Sequence, residues 1–205
     1  GLTAYNYHGR IAGCSVSGVV DGTVTTGGLI GNASTATVDV CVSTATVTGN
    51  NNVGGLIGNF NTGTLNGSQA SGDVTGNNTV GGLAGYCHAV VVTDSSAAGA
   101  VSGADYTGGI VGAIQNGELS DSFATGAVTG TLERTGGLAG LMTTLTVSNC
   151  YAVGNVTGAD NAGGLVGGNS SGTIEQSYAS GTVSGHNNVG GLAGYISSGT
   201  VTESL

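Results

Sequence analysis

One short string of residues recurs along the whole chain and constrains its fold more than any other feature. The string is Gly-Gly, then Leu or Ile, then an apolar residue, then Gly. Copies begin at Gly27, Gly54, Gly81, Gly108, Gly136, Gly163 and Gly190. The intervals between successive copies are equal, except that the interval from Gly108 to Gly136 is longer by a single residue. A fixed period of this length indicates a repeat architecture in which each unit stacks on its neighbours.

Within each unit, apolar residues recur nine positions apart. If the residue before Gly-Gly is position 1, the unit that starts at Val53 has Leu56, Leu65 and Val74 at positions 4, 13 and 22. Every other complete unit carries Leu, Ile or Val there, flanked by Gly, Thr, Ser or Asn, a pattern typical of short strands between turns. The sequence therefore predicts an all-β fold, a triangular parallel β-solenoid (β-helix) of about 7.5 coils with three short strands per coil.

The repeat offers no boundary at which the chain would divide into separate domains. We therefore expect a single β-solenoid domain over residues 1–205. It would consist of a partial coil 1–25, the coils 26–52, 53–79, 80–106, 107–134, 135–161 and 162–188, and a partial coil 189–205. Neither end resembles a polar cap, which favours a segment of a longer array or a subunit that stacks end to end.

The balance of charge excludes several classes of partner. The chain has 11 acidic residues against two basic ones, Arg10 and Arg134, for a net charge of −9. Nucleic-acid binding needs lysine and arginine side chains to neutralise phosphates, so we expect no nucleic-acid partner. No run of about 18 apolar residues is present, so we expect no membrane span. With 43 glycines and only 6% charged residues, the composition is also unlike that of an average enzyme domain.

The repeated string resembles the GLUG motif, which is named after a Gly-Leu-apolar-Gly sequence. Here it reads Gly28-Leu29-Ile30-Gly31 in one coil and Gly164-Leu165-Val166-Gly167 in another. Proteins with this motif are mostly large bacterial surface or secreted proteins, including adhesins and the non-catalytic parts of some immunoglobulin A1 metalloproteases. The resemblance therefore implies an extracellular or cell-surface repeat module, and it implies no reaction.

No cluster of polar residues predicts catalysis. The nearest candidate is position 15, which holds Asp94, Asp121 and Glu203, but Asn149 and Gln176 interrupt the column and no basic residue aligns with it. Proton transfer and charge stabilisation need converging groups, so solvated charges at a corner are the preferred interpretation. We therefore expect no enzymatic activity, no catalytic residue and no cofactor.

The histidines and cysteines do not predict a metal site. His8, His88 and His186 fall at three different positions of the coil, so no two of them form a column. Cys14 and Cys41 share position 16 on adjacent coils, where Cα atoms about 4.8 Å apart would permit a disulfide. Parallel neighbours rarely meet its dihedral requirement, and Ser fills the same position in other coils, so we favour free, buried thiols.

The first candidate surface lies on the glycine-rich side of the coil. All charged residues fall at positions 12–27 or in the single insertion at Glu133 and Arg134, so positions 1–11 carry no charge. If position 4 points inward, strand alternation turns position 5 outward and creates an apolar contact face for another solenoid, a flanking domain or ice. This candidate contact face comprises Ile30, Ile57, Ala84, Val111, Ala139, Val166 and Ala193. The alternative is a local bulge that buries positions 4 and 5 together.

The second candidate surface is a column of hydroxyl side chains at position 23. Its members are Thr48, Thr75, Ser102, Thr129, Thr157 and Ser184. Ranks of outward Thr on a β-solenoid resemble those of ice-binding proteins, yet Thr is also the polar residue that fits an exposed strand best. Position 21, which would complete a two-dimensional array, is irregular.

Three aromatic residues, Phe123, Tyr151 and Tyr178, share position 17 and are a candidate for glycan binding, although aromatic packing at a corner explains them as well.

Together, the patterns favour a non-enzymatic extracellular structural or adhesive module, with ice binding as the alternative function. Expected partners are a second copy of the chain or another surface protein, with ice or a glycan as further candidates.

Overall fold

The computed structural model describes residues 1–205 as β-strands joined by turns and bends, without a helix. Every strand pairs in parallel with the equivalent strand of the next coil. Ile57, for example, pairs with Ile30 on one side and with Ala84 on the other, each one period away in the sequence. Across the coil with the extra residue, Val111 pairs with Ala139. The predicted parallel β-solenoid, with one coil per sequence repeat, is therefore confirmed.

The coils contribute to four parallel sheets. Sheet A follows positions 5–14 and contains Thr3–Tyr7, Arg10–Ala12, Ile30–Asp39, Ile57–Asn66, Ala84–Thr93, Val111–Gln115, Glu118–Ser120, Ala139–Thr143, Thr146–Ser148, Val166–Asn169, Thr173–Glu175, Ala193–Ile196 and Thr200–Thr202. Sheet B contains Ser15–Val16, Val42–Ser43, Gln69–Ala70, Ser96–Ala97, Phe123–Ala124, Tyr151–Ala152 and Tyr178–Ala179. Sheet C contains Val19–Asp21, Thr46–Thr48, Val74–Thr75, Val101–Gly103, Val128–Gly130, Val156–Thr157 and Val183–Ser184. Sheet D contains Thr26–Gly27, Asn51–Gly54, Asn78–Gly81, Thr107–Gly108, Glu133–Gly136, Asp160–Gly163 and Asn187–Gly190.

The prediction of three strands per coil is wrong, because each complete coil contributes to four sheets. Positions 13 and 22 lie in sheets A and C as expected. Position 4, however, lies in a bend: in the coil that starts at Val53, the strand of sheet D ends at Gly54, and the strand of sheet A begins at Ile57. The Gly-Gly-Leu segment therefore separates two strands instead of forming the centre of one.

Backbone turns recur at three fixed positions of the coil. Positions 10, 15 and 27 adopt φ values between 38° and 63° in most coils. Glycine, asparagine and aspartate visit this left-handed region most readily, and position 15 contains Gly67, Asp94, Asp121 and Asn149 as well as Val40, Gln176 and Glu203. These single-residue turns redirect the chain from one strand segment to the next, which explains the polar residues at the predicted corners.

The interior is divided into two apolar clusters. The larger contains 32 buried residues from positions such as 4, 5, 8, 13 and 18, and the smaller contains seven, mostly valines of positions 1 and 22. Glycine at position 3 lies between them. A Cβ atom on Gly55 would lie 3.0 Å from the Cβ of Ala70 in the larger cluster and 3.3 Å from a methyl group of Val74 in the smaller one. A glycine is therefore needed where the backbone passes between the two clusters.

The coil with an extra residue keeps its register on both sides of the insertion. Gly130 pairs with Gly103 in sheet C, and Glu133 pairs with Asp160 in sheet D. Between them, the extra residue forms an exposed bulge in which the side chain of Leu132 is 54% exposed. The bulge forms one wall of a shallow 290 Å³ cavity at the corner between sheets C and D. The insertion is thus absorbed within a few residues.

A ladder of buried serines at position 16 links successive coils. The hydroxyl of Ser95 accepts a hydrogen bond from the backbone N–H of Ser68 (3.1 Å) and donates one to the carbonyl oxygen of Thr93 (2.7 Å). Ser122 repeats both bonds, because it accepts from the N–H of Ser95 (3.1 Å) and donates to the oxygen of its own coil's position 14 (2.7 Å). Each serine therefore satisfies a backbone donor that has no partner in sheet A or sheet B.

Substitution of Ser95 by Ala is expected to lower the free energy of unfolding by about 1–3 kcal/mol, because the buried N–H of Ser68 loses its acceptor. Ser95→Cys is the matched control, since cysteine occupies this column at Cys41 and Cys150. We expect Ser95→Cys to lower the free energy of unfolding much less than Ser95→Ala does. Urea denaturation followed by circular dichroism measures both, and an equal loss in the two variants would contradict the role of the hydroxyl as an acceptor.

Candidate functional surfaces

The candidate contact face at position 5 is buried, so the prediction that it faces solvent is wrong. Ile30, Ile57, Ala84, Val111, Ala139 and Val166 are at most 1% exposed, and Ala193 in the last coil is half-buried. Position 4 is buried as well, since Leu56 and Ile57 lie together in the larger cluster. The bend at Gly-Leu interrupts the strand, so side-chain alternation does not continue from position 4 to position 5. The alternative interpretation, which buries both positions, is correct.

The solvent-facing side chains of this region belong to positions 7 and 9, and they are largely polar. The hydroxyl of Tyr86 donates a 3.2 Å hydrogen bond to Oε1 of Gln115. The His88 ring lies between two amides, with Nδ1 3.1 Å from Oδ1 of Asn61 and Nε2 3.4 Å from Nδ2 of Asn116. The side of the coil that carries no formal charge is therefore a hydrogen-bonded polar surface in these central coils instead of an apolar strip.

The second candidate surface, which we call the threonine column, is exposed along its whole length. Its members at position 23 are Thr48, Thr75, Ser102, Thr129, Thr157 and Ser184, all of them exposed. They pair in register from coil to coil, so the strands that carry them are about 4.8 Å apart. Near one end the spacing permits direct contact, and the hydroxyl of Ser184 donates a 3.3 Å hydrogen bond to that of Thr157.

Position 21 runs beside the threonine column and is exposed, but its chemistry varies. Its side chains lie about 6.6 Å from those of position 23, two residues along the chain. Only the coil with Thr46 and the coil with Thr182 place a second threonine there. Asp73 and Asn155 instead accept backbone hydrogen bonds from the following coil, at 2.9 Å and 3.0 Å. The uniform part of the surface is therefore one column wide.

The three aromatic residues of position 17 stack as a ladder. The rings of Phe123 and Tyr151 are 4.8 Å apart and tilted by 2°, and those of Tyr151 and Tyr178 are 5.2 Å apart and tilted by 8°. Both faces of the Tyr151 ring are thus covered by its neighbours. Stacking on a sugar requires a free ring face, so the ladder favours packing between coils over the glycan-binding interpretation.

The acidic residues of position 15 lie at an exposed corner. Oδ1 of Asp121 accepts a 3.2 Å hydrogen bond from Nδ2 of Asn149, and Oε2 of Glu203 accepts one of 3.4 Å from Nε2 of Gln176. Asp94 accepts a hydrogen bond from the neighbouring hydroxyl of Thr93. The carboxylates of this column are therefore held by amide and hydroxyl groups of adjacent residues, which agrees with their interpretation as solvated corner charges.

The two arginines form local ion pairs. Arg10 lies 3.0 Å from Asp39 of the next coil at an exposed edge of sheet A. Arg134 lies 3.7 Å from Glu133 and donates a 3.2 Å hydrogen bond to the hydroxyl of Tyr106, with its guanidinium above that ring. The Arg10–Asp39 pair links two adjacent coils, and the contacts of Arg134 stabilise the coil that contains the insertion.

The four cysteines are free thiols. Burial raises the pKa of Cys87 to about 12, and it raises that of Cys150 to about 12 as well. Burial also raises the pKa of Cys41 above its ordinary value, while a hydrogen bond from the backbone N–H of Cys14 acts in the opposite direction. Cys14 is half-buried, so it is the most accessible thiol of the chain.

The comparisons with known proteins give one match. The family described as the GLUG motif matches residues 103–129 and 158–184, each of which spans one coil length. No curated protein and no solved structure matches the chain. The motif string reads Gly109-Ile110-Val111-Gly112 in the first segment, with Ile in place of Leu, and Gly164-Leu165-Val166-Gly167 in the second. In both segments it lies at the bend between sheets D and A, with its two central residues buried. The chain is therefore a β-solenoid in which two coil-length segments match the GLUG motif.

Proposed function

We propose that this structural repeat protein acts as a non-enzymatic adhesive segment on the outside of a cell. Stacked coils would set the length of a rod, and exposed columns would make repeated weak contacts with a second copy of the chain or with another surface protein. The observation that carries the proposal is the threonine column, which presents the same small hydroxyl group on six successive coils. When contacts repeat on one rigid body, each one after the first forms at a high effective concentration, so weak contacts add up to firm adhesion.

Two further features support an extracellular setting. The resemblance of the repeats to the GLUG motif, matched in two segments, points to surface and secreted proteins. The net charge of −9, with a low content of charged residues, keeps an elongated surface soluble and does not attract anionic cell components. Separately from this setting, the structure consists of strands and turns and includes no helix that could span a membrane.

Adhesion of coated beads under flow tests this proposal. The chain is attached by one terminus, and bead-to-bead and bead-to-cell adhesion is compared for the natural sequence and for a Thr75→Lys, Thr129→Lys double variant. The charge-matched control is Thr64→Lys with Thr200→Lys, which changes two exposed threonines of sheet A. We expect the first variant to lose most of the adhesion and the control to retain it. Adhesion no stronger than that of uncoated beads, or an equal loss in both variants, would contradict the proposal.

Ice binding is the second candidate function, and the same column supports it. A row of hydroxyl groups on strands about 4.8 Å apart is a surface on which ordered water can form. Thermal hysteresis and ice recrystallisation assays on the same two double variants provide the test. A hysteresis gap that disappears in the Thr75 and Thr129 variant, and persists in the control, would identify the threonine column as an ice-binding surface. No hysteresis in the natural chain would remove this candidate.

A further inference from the structure

Cys14 and Cys41 occupy the same position on adjacent coils with the same side-chain geometry. Each thiol points to the carbonyl oxygen two residues earlier in its own coil: Sγ of Cys14 lies 3.5 Å from the oxygen of Ala12, and Sγ of Cys41 lies 3.3 Å from that of Asp39. The strands that follow them pair in register. From this shared geometry and the spacing of parallel strands, we infer a separation of about 4.8 Å between the two sulfur atoms.

This separation fits one kind of bond between the sulfurs better than another. A disulfide brings the sulfur atoms to about 2.05 Å, so forming one here would require at least one thiol to leave its hydrogen-bonded rotamer. A metal ion held in line between two thiolates keeps the sulfur atoms two metal–sulfur bonds apart, which is about 4.6 Å for bonds as long as those of zinc and is close to the coil step. We propose that Cys14 and Cys41 form a two-coordinate thiolate site for a soft monovalent cation of the Cu(I) class.

The ligands present select this class of ion. Thiolates prefer soft metals, and Cu(I) is among those that they bind best. Zn(II) takes four ligands in protein sites of this type, and no group of three or more His, Cys, Asp or Glu side chains lies together in the structure. Binding is balanced by proton release: one cation enters, and the two thiol protons leave to solvent. The half-buried side chain of Cys14 gives the ion a route to the buried sulfur of Cys41.

The other two cysteines provide internal controls. Cys150 occupies position 16 as well, but its neighbours in the column are Ser122 and Ser177. Cys87 lies alone at position 8 inside the larger cluster. The proposed site therefore depends on two adjacent thiols, whereas a general affinity of buried thiols for metal would involve all four cysteines equally.

Anaerobic titration of the full, reduced chain with Cu(I) tests the site, with a chromogenic Cu(I) chelator as competitor. We expect one tightly held Cu(I) per chain in the natural sequence and in the Cys87→Ser and Cys150→Ser variants. Cys14→Ser and Cys41→Ser should each lower the affinity by more than about 100-fold, since losing a ligand exceeds the effect of losing an outer partner. Zn(II) should not displace the bound Cu(I).

Folding of the variants is verified by thermal circular dichroism, and serine should be accepted because it is native to the column at Ser68 and Ser95. Three results would overturn the proposal: retention of tight binding in Cys14→Ser, an equal loss in Cys150→Ser, or failure of the natural chain to compete with the chelator. Intact mass after exposure to oxygen adds a fourth. If the pair forms a disulfide readily in the folded chain, with dioxygen as the oxidant reduced to peroxide, the thiols are an oxidisable cross-link instead. The test is independent of the adhesive function.

Discussion

Replacement of Gly82 by Ala is expected to destabilise the central coils by at least about 3 kcal/mol. Gly82 stands at position 3, where a Cβ atom would overlap the carbonyl oxygen of Gly109 in the next coil and approach the Cβ of Ala97 to 2.7 Å. Neither obstacle is flexible, because one is backbone and the other is a methyl group fixed to a strand of sheet B. The backbone must therefore shift in two coils, and the hydrogen bonds between them weaken.

The chain contains a matched control for this substitution. Gly191 occupies the same position in the last coil, where no atom outside its own neighbours lies within 4 Å of an added Cβ. Gly191→Ala should leave the urea midpoint, followed by circular dichroism, almost unchanged. Equal midpoints for the two variants would mean that the clash at Gly82 is relieved by a small separation of the coils, and that position 3 tolerates a side chain.

Val111→Glu is expected to prevent folding of the surrounding coils, with a loss of more than about 4 kcal/mol. Val111 is 1% exposed and belongs to the larger apolar cluster, so a carboxylate there would be buried without a partner. Thr64→Glu places the same charge on an exposed position of sheet A and should change stability by less than about 0.5 kcal/mol.

Comparing Val111→Glu with Thr64→Glu also tests whether position 5, on the glycine-rich side of the coil, is buried. Urea denaturation of Val111→Glu and Thr64→Glu is sufficient, with sheet content measured in the same samples. If Val111→Glu folded with natural stability, position 5 would face solvent, and the prediction of an apolar contact face would be restored.

The period of the sequence was sufficient to predict the architecture and its register. Every complete coil has an apolar residue at the positions that Leu65 and Val74 occupy in one of them. With a repeat of fixed length, parallel stacking is the arrangement that brings these equivalent residues together. The same logic placed position 23 in a continuous column. These predictions succeeded because they depend on what repeats, and the register between coils is fixed by the period alone.

Prediction failed where it depended on the path of the chain within one coil. The outward orientation of Ile57 followed from an assumed strand through Gly54 and Leu56, but the chain bends there. One signal was available: from residue 26 onward, position 5 is Ile, Val or Ala in every coil, which is unusual for an exposed strand position. Sheet B was also missed, because strands of two residues such as Gln69–Ala70 are too short to show alternation.

The serine ladder illustrates a different gap between sequence and structure. The small residues of position 16 were visible as a column, but the hydroxyl of Ser95 matters through its acceptor role toward Ser68 in the preceding coil. That role depends on the direction of one N–H group at a left-handed turn, which no residue pattern reports. The same local geometry makes Cys14 and Cys41 equivalent, so their pairing could be seen as a shared position but not as a fixed distance between sulfur atoms.

The bulge at Leu132 has a consequence for how such solenoids can diversify. Because Gly130 and Glu133 remain paired with their partners on neighbouring coils, an added residue between them leaves every other coil undisturbed. The corner between sheets C and D is thus a point at which guest loops can be spliced into a coil, as on a display scaffold. Such loops on successive coils would project from one edge of the rod, each about 4.8 Å from the next. The repetitive scaffold would then carry one edge whose sequence and shape can vary.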